Sequence, residues 1–367
     1  MLTRVQHSQL GGPEWFLSMN WRGSFTIILW LVASAVSAST GVADDDKAGP
    51  FFALTEENDL FSDPLLSRHT DRHYTQGAKL TYSEGDDDLP QWTAQASEAF
   101  PPLWINTSAQ NVGCVFGQNL YTPQNLHTNA LIKTDRPYAG LLYGGMFLQR
   151  RGVVTEAQIP VMESFEVDLG FTGRPSLAQA AQENYHRWFV RGDIPRGWHN
   201  QLATEPTLTL KYERLWRLTF DKTSAHYVDF IPHLGAEVGN VEIFGSVGGT
   251  ARLGVNLPDD FGVPIIDSLA SLRGGTTPHA PAFSCYAFAG VDTRAVGQNL
   301  FLDGNTLRNS PSVERIPWVA DLAAGFAVRL FRHLEVSYTR VVRTHEFVGQ
   351  HHLDKFGSLT AKTMFLF

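Results

Sequence analysis

Asn58 and Asp59 stand side by side in Thr-Glu-Glu-Asn-Asp-Leu-Phe, residues 55–61, and Asp71 and Thr75 follow in Thr-Asp-Arg-His-Tyr-Thr-Gln-Gly, residues 70–77. Carboxylate, amide and hydroxyl oxygens are the donors that a hard divalent cation takes. A second group lies further on. Residues 176–187, Ser-Leu-Ala-Gln-Ala-Ala-Gln-Glu-Asn-Tyr-His-Arg, favour a helix with Ser176 as its cap. In that helix Gln182 and His186 are four residues apart and share a face. Asp193 and Gly197-Trp198 come soon after. A histidine that takes a proton, a carboxylate that orients it or holds a metal, and an amide or metal that stabilises an oxyanion together suit ester hydrolysis. There is no Gly-x-Ser-x-Gly elbow and no His-Glu-x-x-His helix, so a conventional serine hydrolase or zinc protease is unsupported. Taken alone, His186 is as well explained as a packing or surface histidine.

The segments that must position these residues alternate. Over residues 207–220, Leu208, Leu210, Tyr212, Trp216, Leu218 and Phe220 fall on one face, and Thr207, Thr209, Lys211, Glu213, Arg217 and Thr219 on the other. This is period two over a membrane-spanning length. The last ten residues repeat it, with Leu359, Ala361, Phe365 and Phe367 opposite Thr360 and Lys362. Similar runs occur at 51–58, 75–84, 111–119, 138–150, 162–172, 226–238, 242–257, 283–296, 318–331 and 332–345. With 207–220 and 358–367 they make about twelve strands, an even number as bacterial barrels require. The fold class is therefore all-β, a transmembrane antiparallel β-barrel with a short helical insertion near the reactive residues. A soluble sandwich or lipocalin-like barrel would show polar outward faces, whereas these are aliphatic and aromatic.

Composition agrees. Aromatics make up 12% and charged residues only 18%, below the roughly 25% of a typical soluble domain. The formal net charge of -8 argues against a nucleic-acid partner, which needs a basic face. Cys114 and Cys285 both fall in expected strands and are expected to be unpaired.

At the N-terminus, Trp21-Arg22 precede an apolar stretch over 25–36 and small residues around Ser37-Ala38 and Gly41-Val42-Ala43. This is the layout of a secretory signal peptide, residues 1–43, with 1–18 an upstream start and Met19 the opening residue. The apolar run is shorter than the ~20 residues of a spanning helix. Residues 44–367 form the mature barrel domain. Residues 85–110, with Asp86-Asp87-Asp88 and several prolines, read as an irregular loop whose acids are solvated. Residues 258–282, rich in Pro, Gly and Ser, read as an exposed loop.

Taken together, Glu57-Asn58-Asp59-Leu60-Phe61, residues 70–77, Gly117-Gln118 with Tyr121-Thr122-Pro123, Asp135 to Gly140, and His186 with Gly197-Trp198 resemble the outer-membrane lipid A deacylase family. The resemblance runs from about residue 51 to the end and is strongest in the first half. It implies a twelve-stranded barrel in the outer membrane of a Gram-negative bacterium, acting as a monomer on lipid A of lipopolysaccharide. The implied reaction is Ca²⁺-dependent removal of the 3'-linked acyloxyacyl chain. Position by position it places Asn58, Asp59, Thr75, Gln182 and His186 in the catalytic set, and Asp59, Thr75 and Asp193 around the metal. Asp193 lies one residue further from His186 than the family pattern. Arg72, Arg136, Arg187 and Arg196 suit phosphate contacts or salt bridges and stay outside the catalytic list. A phospholipase using the same histidine and metal, and a non-catalytic pore, are the competing functions, and Thr75 as nucleophile competes with water.

Overall fold

The computed structural model describes residues 47–62, 72–99, 102, 105–154, 157–187, 194–223, 226–263, 266 and 280–365. The expected signal peptide lies outside the described residues, as do Asp71 and Asp193. The strands are β1 (Phe51–Asn58), β2 (His73–Ser83), β3 (Ile105–Thr122), β4 (Ala139–Val154), β5 (Pro160–Thr172), β6 (Glu205–Trp216), β7 (Leu218–Thr223), β8 (His226–Gly239), β9 (Glu242–Val255), β10 (Phe283–Asn299), β11 (Trp318–Leu330), β12 (Leu334–Arg343) and β13 (Asp354–Met364). Each pairs antiparallel with its neighbour, and β1 pairs with β13 from Phe51↔Met364 to Asn58↔Gly357, which closes the sheet.

Thirteen segments make twelve staves, because β6 and β7 both pair with β8. The stave breaks between Leu215↔His233 and Leu218↔Phe230, opposite Pro232. Proline has no N–H to give to the ladder. On the other side of the strand the ladder continues, and the N–H of Arg217 donates to Pro160 O at 2.9 Å. The expected strand 207–220 is thus one stave with a local interruption.

The two faces sort as the alternation requires. Phe116, Leu169, Phe171, Leu208, Leu210, Leu253, Leu322 and Phe326 are exposed on the outer wall, an apolar band that faces lipid. The inner wall carries paired charges. Lys211 Nζ lies 3.1 Å from Glu166 and 2.7 Å from Asp168, and Asp321 takes Arg294 at 2.6 Å and Arg343 at 2.7 Å. Buried charges persist only when paired.

Two loops depart from expectation at the end of the barrel that carries the start of β1 and the end of β13. Residues 85–110 contain helix α1 (Gln91–Ala99) and the start of β3, rather than an irregular loop. Asp86 is not a solvated acid: it accepts from Ala48 N at 3.0 Å and pairs with Arg151. Burial pushes its carboxyl above the ordinary value, against the opposing pull of Arg151. The described part of 258–282 is exposed only in part: Asp259, Pro281 and Ala282 are exposed, whereas Asp260, Phe261 and Ile266 are buried. Asp260 is anchored inside the barrel by Arg252 at 2.5 Å and Arg329 at 3.1 Å, while Arg252 also holds Asp229 at 2.7 Å. Phe261 packs with Met162, Leu215 and Ile231. Residues 260, 261 and 266 therefore plug part of the lumen, and the charge of Asp260 found partners that adjacent sequence does not reveal. Cys114 and Cys285 are unpaired.

Arg252→Met removes the cation shared by Asp229 and Asp260. Breaking a buried pair by removing one partner costs about 3 kcal/mol, so the urea unfolding midpoint of the refolded barrel is expected to fall accordingly. An unchanged midpoint would show that the network does not hold the plug.

Candidate active site

The opposite rim carries the candidate residues, and they gather on the outer wall rather than in the lumen. Along β1, Phe51, Ala53, Thr55 and Glu57 point inward, so Asn58 ends the strand on the outer face with Phe52, Leu54 and Glu56. Asn58 Oδ1 accepts from Leu60 N at 2.9 Å, an Asx turn that redirects the chain into the 3-10 turn Asp59–Ser62. That turn folds over the outer face of β12 and β13. Tyr338 Oη donates to Phe61 O at 2.6 Å, and a Cβ on Gly357 would meet the same oxygen at 2.5 Å. Gly357 is the gap that admits the turn. Asp59, 2% exposed, accepts from Arg72 N at 3.0 Å through Oδ2, tying the two ends of the 63–71 loop.

On β2 the register against β3 slips between Tyr74↔Tyr121 and Gln76↔Leu120, leaving Thr75 as the extra residue of a bulge. A bulge re-aims side chains at a barrel rim. Tyr74 points inward to the cluster of Val115, Tyr121 and Phe301, whereas Thr75 and Gln76 both face out. Thr75 Oγ1 lies 2.7 Å from Thr122 Oγ1. Behind this face, Glu57 is fully buried and accepts from Tyr74 Oη at 2.9 Å and from Ile266 N of the plug at 2.7 Å. One carboxylate therefore joins β1, β2 and the plug beneath Asn58 and Thr75.

Helix α2 (Ala178–Tyr185) supplies the other side. It is shorter than the expected 176–187, and Ser176 is not its cap. Ser176 ends a 3-10 turn, donates to Gly173 O at 2.6 Å, and Leu177 holds the cap position at φ 58°. Ala178, Trp198, Tyr138 and Leu126 pack with Leu120 of β3. A Cβ on Gly140 of β4 would lie 2.2 Å from that of Ala178, and Gln118 Nε2 donates to Ser176 O at 2.6 Å. The helix thus lies against the outer wall at β3 and β4.

Gln182, 1% exposed, accepts from Trp198 Nε1 at 2.8 Å through Oε1, and its Nε2 has no hydrogen-bond partner among the described residues. The indole can only donate, which fixes the amide with its NH₂ unused. His186 follows one turn later, buried, with its N–H donated to the carbonyls of Gln182 and Glu183. The structure therefore places Asn58, Asp59 and Thr75 on β1, β2 and the adjoining turn, and Gln182 and His186 on the helix beside the next strands, all at one rim. Asp193 lies outside the described residues. Asp59 and Thr75 offer oxygen donors, which suit a hard cation such as Ca²⁺. Among the described residues no three acidic, histidine or cysteine side chains converge.

Sequence reasoning missed His73. It sits at φ 59°, with Nδ1 2.5 Å from Asp354 Oδ1, Nε2 3.4 Å from Asp135 Oδ1, and its ring edge-on to Phe347 at 5.3 Å. Burial works against the Asp135 charge, but the hydrogen bond with His73 and the N–H groups of Gln124 and Arg136 hold its carboxyl below the ordinary value. Arg136, fully buried, pairs with Glu346 at 3.0 Å and lies over Tyr121. These contacts lock the 123–138 and 344–353 loops against the start of β2. Asp354 lies 281 positions from His73 and Glu346 210 positions from Arg136, and no local spacing announces them.

A family model described as outer membrane protein LpxR matches residues 26–365. No curated protein sequence matches the chain. Among solved structures, LpxR from Salmonella typhimurium superposes with a TM-score of 0.67 at 20% identity, covering 86% of this chain and 100% of that one. The β domain of the Bordetella autotransporter BrkA gives a TM-score of 0.41 at 9% identity, covering 87% and 99%. The closed barrel, the helix on its outer wall and the match over most of the chain lead to one conclusion: this protein belongs to the LpxR family of outer membrane proteins.

Proposed function

We propose that the protein is a Ca²⁺-dependent ester hydrolase that removes the 3'-linked acyloxyacyl chain of lipid A. Membership in the LpxR family supports an outer-membrane lipid A deacylase. The observation that carries the reading is the position of the polar set: Asn58, Thr75, Gln182 and His186 belong to the outer-wall side of the rim, the side from which a membrane lipid approaches. A pore needs an open lumen, whereas here Asp260, Phe261 and Ile266 sit inside the barrel.

Asp59 and Thr75, with Asp193, would hold the cation. When bound, Ca²⁺ supplies Lewis-acid polarisation of the ester carbonyl. His186 takes the proton of the attacking water. Gln182, its Oε1 held by Trp198, offers Nε2–H to the oxyanion that develops on the former carbonyl oxygen. It is thereby a donor and not the acceptor that would fix the imidazole tautomer, a role left to Asp193. Asn58 also keeps its Nδ2 donors, since Oδ1 is committed to Leu60. Thr75, bonded to Thr122, meets no base among the described residues and serves as ligand or positioning group, with water as the nucleophile.

Mass spectrometry of lipid A incubated with the refolded protein is expected to show loss of the 3'-acyloxyacyl unit with Ca²⁺ and an intact spectrum with chelator. Release of fatty acid from glycerophospholipid alone would overturn the substrate assignment in favour of a phospholipase. His186→Ala is expected to lower kcat by about 10²–10⁴-fold with the barrel still folded, the usual worth of a general base; a folded, fully active variant excludes His186 from that role. Trp198→Phe frees the Gln182 amide to rotate and is expected to lower kcat about tenfold, the worth of about one hydrogen bond, with KM little changed. A fall in affinity alone would instead make Trp198 a substrate contact.

A further inference from the structure

The turn Asp59–Ser62 lies on the outer face of β12 and β13, and helix α2 lies on the outer face of β3 and β4. Between them the wall is formed by β1 and β2. This strip leads from the rim residues toward the middle of the bilayer. Its lower part is apolar: Phe52 and Leu80 are exposed, Leu54 and Ala78 half-buried, and Leu359 on the neighbouring β13 exposed. Directly below Asn58 it is not. Glu56 is on the same face two residues down β1, a descent of about 7 Å, and Gln76 is the cross-strand partner of Asn58. Gln76 Nε2 donates to Glu56 Oε1 at 2.6 Å.

Both side chains are half-buried, and no other side-chain hydrogen bond engages either among the described residues. The second Nε2–H and Oε1 of Gln76, and Oε2 of Glu56, therefore remain for a ligand. A carboxyl and an amide on a lipid-facing wall bring no packing gain, and polar groups there become more costly with depth. The bulge at Thr75 is what turns Gln76 to this side together with Thr75. The polar pair thus belongs to the same local geometry as the rim residues.

Resting on the hydrolase reading above, we propose that Gln76 and Glu56 form a subsite that hydrogen-bonds an oxygen substituent on the acyl chain itself, and so select oxygen-substituted acyl chains over plain ones. An acyloxyacyl chain carries a second ester along its length, beyond the scissile one. With the scissile carbonyl at the rim and the chain running down the β1–β2 strip, that second ester passes the Gln76–Glu56 step before the chain reaches Leu54, Leu80 and Phe52. The free Nε2–H of Gln76 donates to its carbonyl. A hydroxyl at the same place would donate to Glu56 and accept from Gln76.

The test uses the full-length refolded protein in detergent with two lipid A preparations, one with an acyloxyacyl chain at the 3' position and one with an unsubstituted acyl chain there. The ratio of kcat/KM for the two is measured in the wild type, Gln76→Leu and Glu56→Leu, and the relative binding of the two lipids is measured by competition in the same variants on a His186→Ala background. The apolar replacements suit a lipid-facing wall and leave the barrel able to fold. The expected result is a preference for the acyloxyacyl lipid in the wild type that falls about tenfold in Gln76→Leu, in both kinetics and binding. A ratio within twofold of wild type in both variants, whether from equal losses or from none, overturns the subsite. Binding selectivity that depends on Gln76 without hydrolysis of either lipid keeps the subsite and overturns the hydrolase. Hydrolysis without that selectivity does the reverse, and binding of neither lipid overturns both.

Discussion

Every backbone N–H and C=O that crosses a bilayer must find a partner inside the protein, and a sheet can meet that demand only by closing on itself. The pairing of β1 with β13 is where this chain closes. From it follows the strict division of each strand into an outer and an inner face. The outer face meets lipid and is apolar. The inner face is cut off from lipid and holds Lys211, Glu166, Asp168, Arg294, Asp321 and Arg343 in paired sets. A reactive group therefore has two places to be: in a filled lumen, away from lipid, or on an outer wall that penalises polarity. Here the candidate groups take the second, near the rim where the penalty is least.

Holding polar groups on that wall requires local departures from the regular barrel. The bulge at Thr75 turns two consecutive side chains outward. Gly357 and Gly140 leave room on the wall for the Asp59–Ser62 turn and for helix α2. Trp198 commits one end of the Gln182 amide and so leaves the other free. Each device breaks an alternation or removes a side chain where an ordinary lipid-facing position would carry an aliphatic residue. Function on a membrane barrel of this kind is written as exceptions to the pattern that makes the barrel.

That explains what could be read from the chain alone. The run 207–220 declares its period without reference to anything else, and β1 spans the expected residues. The placement of the candidate residues at one rim was legible because Asn-Asp at a strand end and a Gln–His pair on a helix contradict their surroundings. What was hidden depends on distant partners. Nothing near Trp216 tells of Pro232 across the ladder, and nothing in the Pro-, Gly- and Ser-rich run 258–282 tells that Asp260 will meet Arg252 and Arg329 inside the barrel. His73 looks like one more polar residue in its motif until Asp135 and Asp354 are brought against it. Helix α1 has a weak apolar pattern, and prolines on both sides favour a loop reading.

The plug and the outer-wall site are not independent features. Glu57 points inward from the strand whose next residue, Asn58, points outward, and Tyr74 stands in the same relation to Thr75. The bond from Tyr74 to Glu57 therefore clamps β1 to β2 from the inside at the level where the outside presents its polar groups, and Ile266 of the plug completes that clamp from the far end of the lumen. A plug contact of this kind braces from within the wall that carries the candidate residues. An open lumen would leave Glu57 with water in place of Ile266, and the two strands that carry Asn58 and Thr75 would be free to shift against each other. Filling the barrel and building a site on its surface are thus the same structural requirement seen from two sides of one strand pair.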